Sequence, residues 1–278
     1  MDIGSIALNA SKISFAELII LVGVLYGFGL VLGLIEHKTL EYMSNVFGRV
    51  GISITAIIGT PVHEIGHLIM CILFGHKVTN VKLLNLSKSS TSLGSVSHTF
   101  NYKNPYQRIG NFFIGIGPII SGVMSIVFLL WLFVPQAFGI FKTIVLNAGQ
   151  QGGLYGVNQS LFISFQGLIG VVFNMSNAGT ITFWIFLFLT LCISVHVSLS
   201  KEDLNSVYDG VVFLFILLFV INSIAGYLSF NTMGVAKMVS VYNTYLIVFL
   251  LLISIFAITS FIIMWIASQF KSIIDSER

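Results

Sequence analysis

Charged residues are scarce in this chain: they make up 8% of its 278 residues, and the formal net charge is only +3. The few basic residues are scattered, which argues against a nucleic-acid partner. Hydrophobic residues reach 56% and the mean hydropathy is +0.98, values that do not fit a soluble globular domain of this size. The composition therefore predicts an all-α, polytopic membrane protein whose main partner is the lipid bilayer.

Cysteine is almost absent as well. Cys71 and Cys192 both fall inside apolar runs, so a disulfide framework is not expected. The N-terminus does not resemble a cleaved signal peptide, because Asp2 precedes the first Lys and no small-residue cleavage site follows the first apolar run.

Six apolar stretches each approach the roughly 20 residues that a membrane helix requires. These predicted spans are about Ser14–Ile35, Val50–Phe74, Asn111–Val134, Ile181–Val197, Val211–Phe230 and Thr244–Ser268. Residues 135–179, which connect the third span to the fourth, are nearly uncharged and rich in Gly. Within them Ser160–Phe173 is too short to cross comfortably, and we interpret it as an interfacial or re-entrant helix.

The distribution of Lys and Arg between the loops predicts the orientation. Nine of them fall on the side that would carry both termini, against four on the other side, so both termini are predicted to be cytoplasmic. The first group comprises Lys12, Lys77, Lys82, Lys88, Lys103, Arg108, Lys201, Lys271 and Arg278, and the second Lys38, Arg49, Lys142 and Lys237.

A short polar motif interrupts the second span: His63-Glu64-Ile65-Gly66-His67. Residues four apart lie on one face of a helix, so both imidazoles can reach one zinc ion. Glu64, offset by one position, suits the general base that activates a zinc-bound water. The alternative is a set of polar groups satisfied by neighbouring helices. Ionisable groups at membrane depth cost about 2.5–3.5 kcal/mol each, however, and usually mark function.

The predicted orientation places this motif near the cytoplasm. His67 precedes Phe74, the last residue of its span, by seven positions, so it would lie roughly 10 Å below the membrane surface. Residues 76–104, which follow, alternate apolar and polar residues, and they predict either a β-hairpin-like strand pair or an ordinary basic loop. If strands form, an exposed edge beside the metal could hold an extended substrate.

The third span contains closely spaced small residues and the pair Gly117-Pro118. Small residues allow helices to approach closely, and Gly-Pro permits a kink. We therefore expect this span to pack tightly against the second one. A direct catalytic role for Asn111 is the less favoured interpretation.

A zinc site requires a third protein ligand, and few carboxylates are suitably placed. Asp2, Asp275 and Glu277 lie in the tails, Glu36 and Glu41 in the predicted outer loop, and Glu17 at the start of the first span. None of these positions is expected to reach the two histidines. The remaining acids, at the cytoplasmic start of the fifth span, are Glu202, Asp203 and Asp209. Asp203 is favoured, although Ser200-x-x-Asp203 is also a helix-capping pattern. Asp209, Glu202 and His196 remain alternatives, and His196 could instead contact substrate or orient a ligand.

The other candidate ligands are less favoured. Cys71 lies one turn beyond His67 and could bind zinc as a thiolate, but a small buried side chain packing between helices is the simpler interpretation. His37, His76 and His98 fall in predicted loops and are interpreted as solvated side chains.

On these residues the sequence resembles the site-2 protease family of zinc intramembrane metalloproteases. The resemblance rests on His63-Glu64-Ile65-Gly66-His67 within a span, the loop after it, Gly117-Pro118, and an Asp at a later helix start, and it covers about residues 50–230. It implies Zn²⁺, His63 and His67 as ligands, Glu64 as catalytic base, and a membrane-embedded aspartate as third ligand. The family's Asn/Pro-rich motif ending in Leu-Asp-Gly is absent, and Tyr208-Asp209-Gly210 is only a fragment of it. No inserted PDZ-like domain is visible.

The sequence thus predicts a zinc-dependent intramembrane endopeptidase that forms a single domain over residues 1–278. Its expected substrate is a membrane protein or peptide, and analogy suggests a bacterial plasma membrane. Two rivals remain: a non-catalytic scaffold, chaperone or immunity-type relative, and a metal transporter. A transporter should line a path through both leaflets with polar groups, whereas the polar groups here concentrate toward one side.

Overall fold

The computed structural model describes residues 3–87, 92–151, 159–228 and 233–276, and these residues are mostly helical, as predicted. In chain order the elements are α1 (Ile3–Leu73), β1 (Lys77–Lys82), β2 (Ser95–Thr99), α2 (Pro105–Gly115), α3 (Gly117–Phe133), α4 (Pro135–Gln151), α5 (Gln159–Val172), α6 (Met175–Ala178), α7 (Ile181–Ser194), α8 (Lys201–Tyr227) and α9 (Met233–Ser276).

Gly48 divides α1 into two antiparallel arms. Its φ of 64° and ψ of −156° lie in a region that favours glycine. The turn brings Thr55 Oγ1 to 3.8 Å from Met43 Sδ, although the two residues are 12 positions apart. We call residues 3–47 arm A and residues 49–73, which carry the His-Glu-x-x-His motif, arm B.

The prediction that Glu36 and Glu41 lie in an outer loop between the first two spans is wrong. Glu36 and Glu41 lie within helical arm A, because the helix continues without a break as far as the turn at Gly48. Glu36 also accepts a hydrogen bond from the backbone N–H of Ser198 at 3.1 Å, so it binds the connection between α7 and α8.

Among the described residues, three helices are long and apolar enough to cross a membrane: Gly4–Leu73, Lys201–Tyr227 and Thr244–Ser276. The pair α2 and α3 makes a fourth candidate if it is taken as one span bent by 53°. The break falls beside Gly117-Pro118, which confirms the predicted kink. In the described ranges α7 is shorter than these candidates, so a membrane protein is supported but a count of six spans is not.

Arm A runs antiparallel to α8. A Cβ added to Gly226 would lie 3.1 Å from Ile6, and one added to Gly29 would lie 3.5 Å from Leu199, just before α8. Lys271, near the end of α9, donates to the carbonyl of Asn45 at 2.5 Å. Residues 6 and 271 therefore lie at opposite ends of an arm about 65 Å long.

The segment after α1 contains a strand pair. β1 and β2 are antiparallel, with Val81 opposite Val96, and an irregularity interrupts the pairing between Val78 and Asn80. Residues 88–91, between the strands, lie outside the described residues. The sequence allowed either a strand pair or an ordinary loop here. Residues 77–82 and 95–99 form strands.

Residues 135–179 contain more helix than predicted. α5 corresponds to the expected short helix at 160–173, but α4 and α6 were not predicted. Leu168 and Val172 of α5 belong to the main apolar cluster, together with Ile253 and Phe256 of α9. This packing accounts for the helices, because a Gly-rich sequence has weak helix propensity of its own.

Candidate metal centre

Two distant parts of the chain meet at the motif. His63 and His67 extend from arm B, and Asp203 extends from the first turn of α8. His67 Nε2 lies 3.0 Å from Asp203 Oδ1, and His63 Nε2 lies 3.7 Å from Asp203 Oδ2. The two Nε2 atoms are 3.2 Å apart. The three side chains could hold a metal ion, since their ligand atoms all lie within 4.8 Å of one another.

Backbone carbonyls orient both imidazoles. His63 Nδ1 donates to the carbonyl of His196 and His67 Nδ1 donates to the carbonyl of Ile114, each at 2.8 Å. A carbonyl can only accept, so each Nδ1 carries a proton. In the neutral form of each ring, Nε2 presents its lone pair toward Asp203, which is the arrangement that metal-binding histidines adopt.

The spacing of the three side chains suits a bound cation. The two imidazole Nε2 atoms and the carboxylate face one another at 3.0–3.7 Å. A tetrahedral ion with bonds of about 2.1 Å would separate its ligand atoms by about 3.4 Å. The observed spacing is therefore close to that of a tetrahedral metal site.

Asp203 combines the two roles that the sequence left open. Its Oδ2 accepts from the backbone N–H of Ser200 at 2.7 Å, and its own N–H donates to Ser200 Oγ at 3.1 Å, which completes a capping box. Its Oδ1 remains directed at His67. The cap fixes the carboxylate at the helix start, so capping and metal binding support each other.

Glu64 lies beside this cluster. It is only 6% exposed, and it lines a cavity of about 340 Å³ together with His63, His67 and Asp203. A Cβ added to Gly94 would lie 2.7 Å from Glu64 Cγ, so the chain just before β2 packs directly on this side chain. β2 contributes a wall of the cavity through Ser95, Val96 and His98.

Close glycine contacts bring the helices together at the site. A Cβ on Gly66 would collide with the backbone of Gly117, and one on Gly59 would collide with the Cys192 carbonyl and the His196 ring. Ser121 Oγ also donates to the Val62 carbonyl at 2.7 Å. The predicted tight packing of the second and third spans is thus confirmed.

Asp209 is held elsewhere. Arg108 donates to its Oδ1 at 2.7 Å, and Asn111 Nδ2 donates to its Oδ2 at 2.6 Å. The Arg108 guanidinium also lies 3.8 Å from the centre of the Phe213 ring. Asp209 and Asn111 therefore belong to a contact between α2 and α8. Neither of them lines the cavity.

The other residues considered as third ligand, Glu202, His196 and Cys71, lie in positions that do not favour them. Glu202 lines the cavity but is exposed. The ring Nε2 of His196 lies 3.1 Å from Thr55 Oγ1, so His196 meets the site through its carbonyl and orients His63. Cys71 is a buried free thiol and is not among the residues of the metal cluster.

The interpretation of His76 and His98 as solvated side chains is wrong. His76 is buried, and its Nε2 donates to the Gln107 carbonyl at 2.8 Å. In neutral His76 the Nδ1 must then accept, so His98 Nδ1 donates to it across 3.0 Å. Burial and the neighbouring His76 ring lower the pKa of His98 to about 4. The signal in the sequence that could have revealed this was the alternation of side chains along β2, which points His98 toward the cavity.

Comparisons of this chain with models of protein families, with curated proteins and with solved structures found no match.

Proposed function

We propose that this protein is a zinc-dependent intramembrane endopeptidase. The observation that carries the proposal is the convergence of His63 Nε2, His67 Nε2 and the Asp203 carboxylate beside Glu64 in one cavity. Two histidines and one carboxylate are a ligand set typical of catalytic zinc, which keeps a fourth position open.

The chemistry divides among the chain's own residues. Zinc, when bound, supplies Lewis-acid activation of water and of the scissile carbonyl. Glu64 accepts the proton of the attacking water and passes it to the departing amine. His63 and His67 keep their Nε2 atoms directed at the ion because the His196 and Ile114 carbonyls hold their Nδ1 protons.

The substrate must reach Glu64 in an extended form, because a carbonyl within a helix is already hydrogen-bonded and sterically covered. β2 lines the cavity and is paired with β1 along one edge only in the described residues. An extended segment could add to the other edge, with its backbone held beside the metal ligands. The substrate class that fits is a membrane-associated or transmembrane segment with a helix-breaking sequence.

We also propose that the cavity opens toward the cytoplasm of a multi-pass membrane protein. The segment that forms its wall, residues 76–104, carries Lys77, Lys82 and Lys103. An excess of Lys and Arg near membrane helices is typical of cytoplasmic loops.

Metal analysis of the purified protein tests the site. We expect about one zinc per chain in the wild type, and a loss of at least tenfold in His63→Ala. His37→Ala is a matched control, since His37 is an exposed histidine on arm A; it should retain its zinc. Equal zinc contents in both variants would refute the ligand assignment.

Glu64→Gln tests the chemistry separately. This variant should bind zinc like the wild type but cleave quenched-fluorescent peptides with apolar, helix-breaking segments at least 100-fold more slowly. Cleavage at the wild-type rate would rule out Glu64 as the base. A wild-type protein that lacks zinc would favour the non-catalytic scaffold, for which Glu64 should be dispensable.

A further inference from the structure

A second buried polar cluster lies between arm A and α8. It consists of Ser14 and Glu17 on arm A and Asn222 on α8, which are 0%, 3% and 1% exposed respectively. Both helices belong to the candidate membrane-crossing set. The cluster shares no residue with the metal centre or its cavity.

The hydrogen bonds within this cluster leave oxygen atoms unpaired. Asn222 Nδ2 donates to Ser14 Oγ and to Glu17 Oε2, each at 2.9 Å, which uses both amide protons. Glu17 Oε1 and Asn222 Oδ1 have no hydrogen-bond partner among the described residues. Buried oxygen atoms are normally satisfied, so a pair of unsatisfied ones in contacting side chains indicates a missing electropositive partner.

The charge of Glu17 requires compensation as well. No ion pair found within the described ranges involves Glu17. A carboxylate between apolar helices is very costly unless a cation or a proton neutralises it. A proton donated from Glu17 Oε1 to Asn222 Oδ1 would satisfy both oxygens. A small monovalent cation would also neutralise the carboxylate, and it could use the second lone pair of Ser14 Oγ as well.

We propose that Glu17, Asn222 and Ser14 form a binding site for one sodium ion. Carboxylate, amide and hydroxyl oxygens are hard ligands that suit such a cation. A divalent ion would leave a net positive charge between apolar helices, which is unfavourable. Bound sodium would hold arm A against α8, whose first turn carries Asp203. The site could therefore stabilise the helix that supplies the third ligand of the metal centre.

Thermal unfolding in detergent tests this proposal at fixed pH and ionic strength, with NaCl, KCl or choline chloride as the salt. Sodium should raise the wild-type Tm in a saturable manner, by about 3 °C or more at a concentration tenfold above its Kd. Glu17→Gln should lose this response. Glu36→Gln is the matched control, because Glu36 lies on the same arm but accepts a hydrogen bond from Ser198; it should keep the response.

Direct binding of ²²Na⁺ to the wild-type protein supplies a second measurement that does not depend on a variant folding. We expect about one ion per chain, and weaker binding in the milder variant Ser14→Ala. His63→Ala should bind sodium normally, so the result is independent of the metal centre. No bound ²²Na⁺, with equal Tm values in the three salts, would overturn the proposal and leave Glu17 as a protonated helix contact.

Discussion

Asp203 and Asp209 lie six residues apart on α8 and have different partners. Asp203 faces two imidazoles, whereas Asp209 is bound by Arg108 and Asn111. Six residues correspond to 600° along a helix, so the two carboxylates point in different directions. The two acids therefore allow the metal centre to be separated experimentally from the α2–α8 contact.

Asp203→Asn should lose most of its zinc, because an amide is a much weaker zinc ligand than a carboxylate. Asp209→Asn should keep its zinc but lose about 1.5–3 kcal/mol of unfolding free energy, the usual contribution of a hydrogen bond to a charged group. Metal content and thermal unfolding of the two variants check both expectations. If zinc were lost from Asp209→Asn but kept in Asp203→Asn, Asp209 rather than Asp203 would be the third ligand.

His98 should make the protein sensitive to mild acid. Its pKa is about 4 in the folded protein, against about 6.5 in an unfolded chain. Between these values the unfolded state binds more protons, so stability falls as the pH drops from about 6.5 to 4 and is fully present above 6.5.

The measurement is the difference in Tm between wild type and His98→Gln as a function of pH. The difference should shrink as the pH falls through this window, because Gln does not titrate. Parallel curves would show that His98 is solvated in the folded protein.

Among the elements, the contact between arm B and α3 depends on residues without side chains. Gly66 and Gly117 meet backbone to backbone at the turn of the helix that separates His63 from His67. The same contact positions Ile114, whose carbonyl orients His67, because α2 ends only two residues before Gly117.

Gly66→Ala should therefore destabilise the protein by about 1–3 kcal/mol, the typical cost of overpacking. It should also weaken zinc binding, since His67 would move away from Asp203. Gly33→Ala, on arm A, is the control. An added Cβ there meets nothing within 4 Å, and the higher helix propensity of Ala should leave stability unchanged or slightly raised. Equal effects of the two substitutions would contradict the close contact.

At the scale of the whole molecule, the packing of arm A separates residue 6 from residue 271. Arm A meets the C-terminal half of α8 near residue 6 and the end of α9 near residue 45. The count of basic residues places Lys12 and Lys271 on one side, whereas the helix packing places them at opposite ends of a long arm.

Cysteine labelling distinguishes these arrangements. Both native cysteines are buried, so the background reaction with a membrane-impermeant maleimide should be low. Lys12→Cys and Lys271→Cys should react from opposite sides of the membrane in sealed vesicles of defined orientation. Labelling of both from the same side would favour the orientation predicted from the basic residues and contradict the packing of arm A.

The sequence by itself determined the helical, apolar character of the chain and the His63/Glu64/His67 motif. Both are local: composition defines the class of protein, and a spacing of four residues defines a helix face. It also indicated the kink at Gly117-Pro118, because proline acts on its own helix.

Only the tertiary structure decided which acid meets the two histidines, since Asp203 and Asp209 both lie near the start of the same helix and have different neighbours. It also decided that His76 and His98 pair, and that Glu17 contacts Asn222 across 205 positions of sequence. These contacts join elements that are far apart in the chain. Their geometry depends on how whole helices pack, and no local pattern of residues specifies that packing.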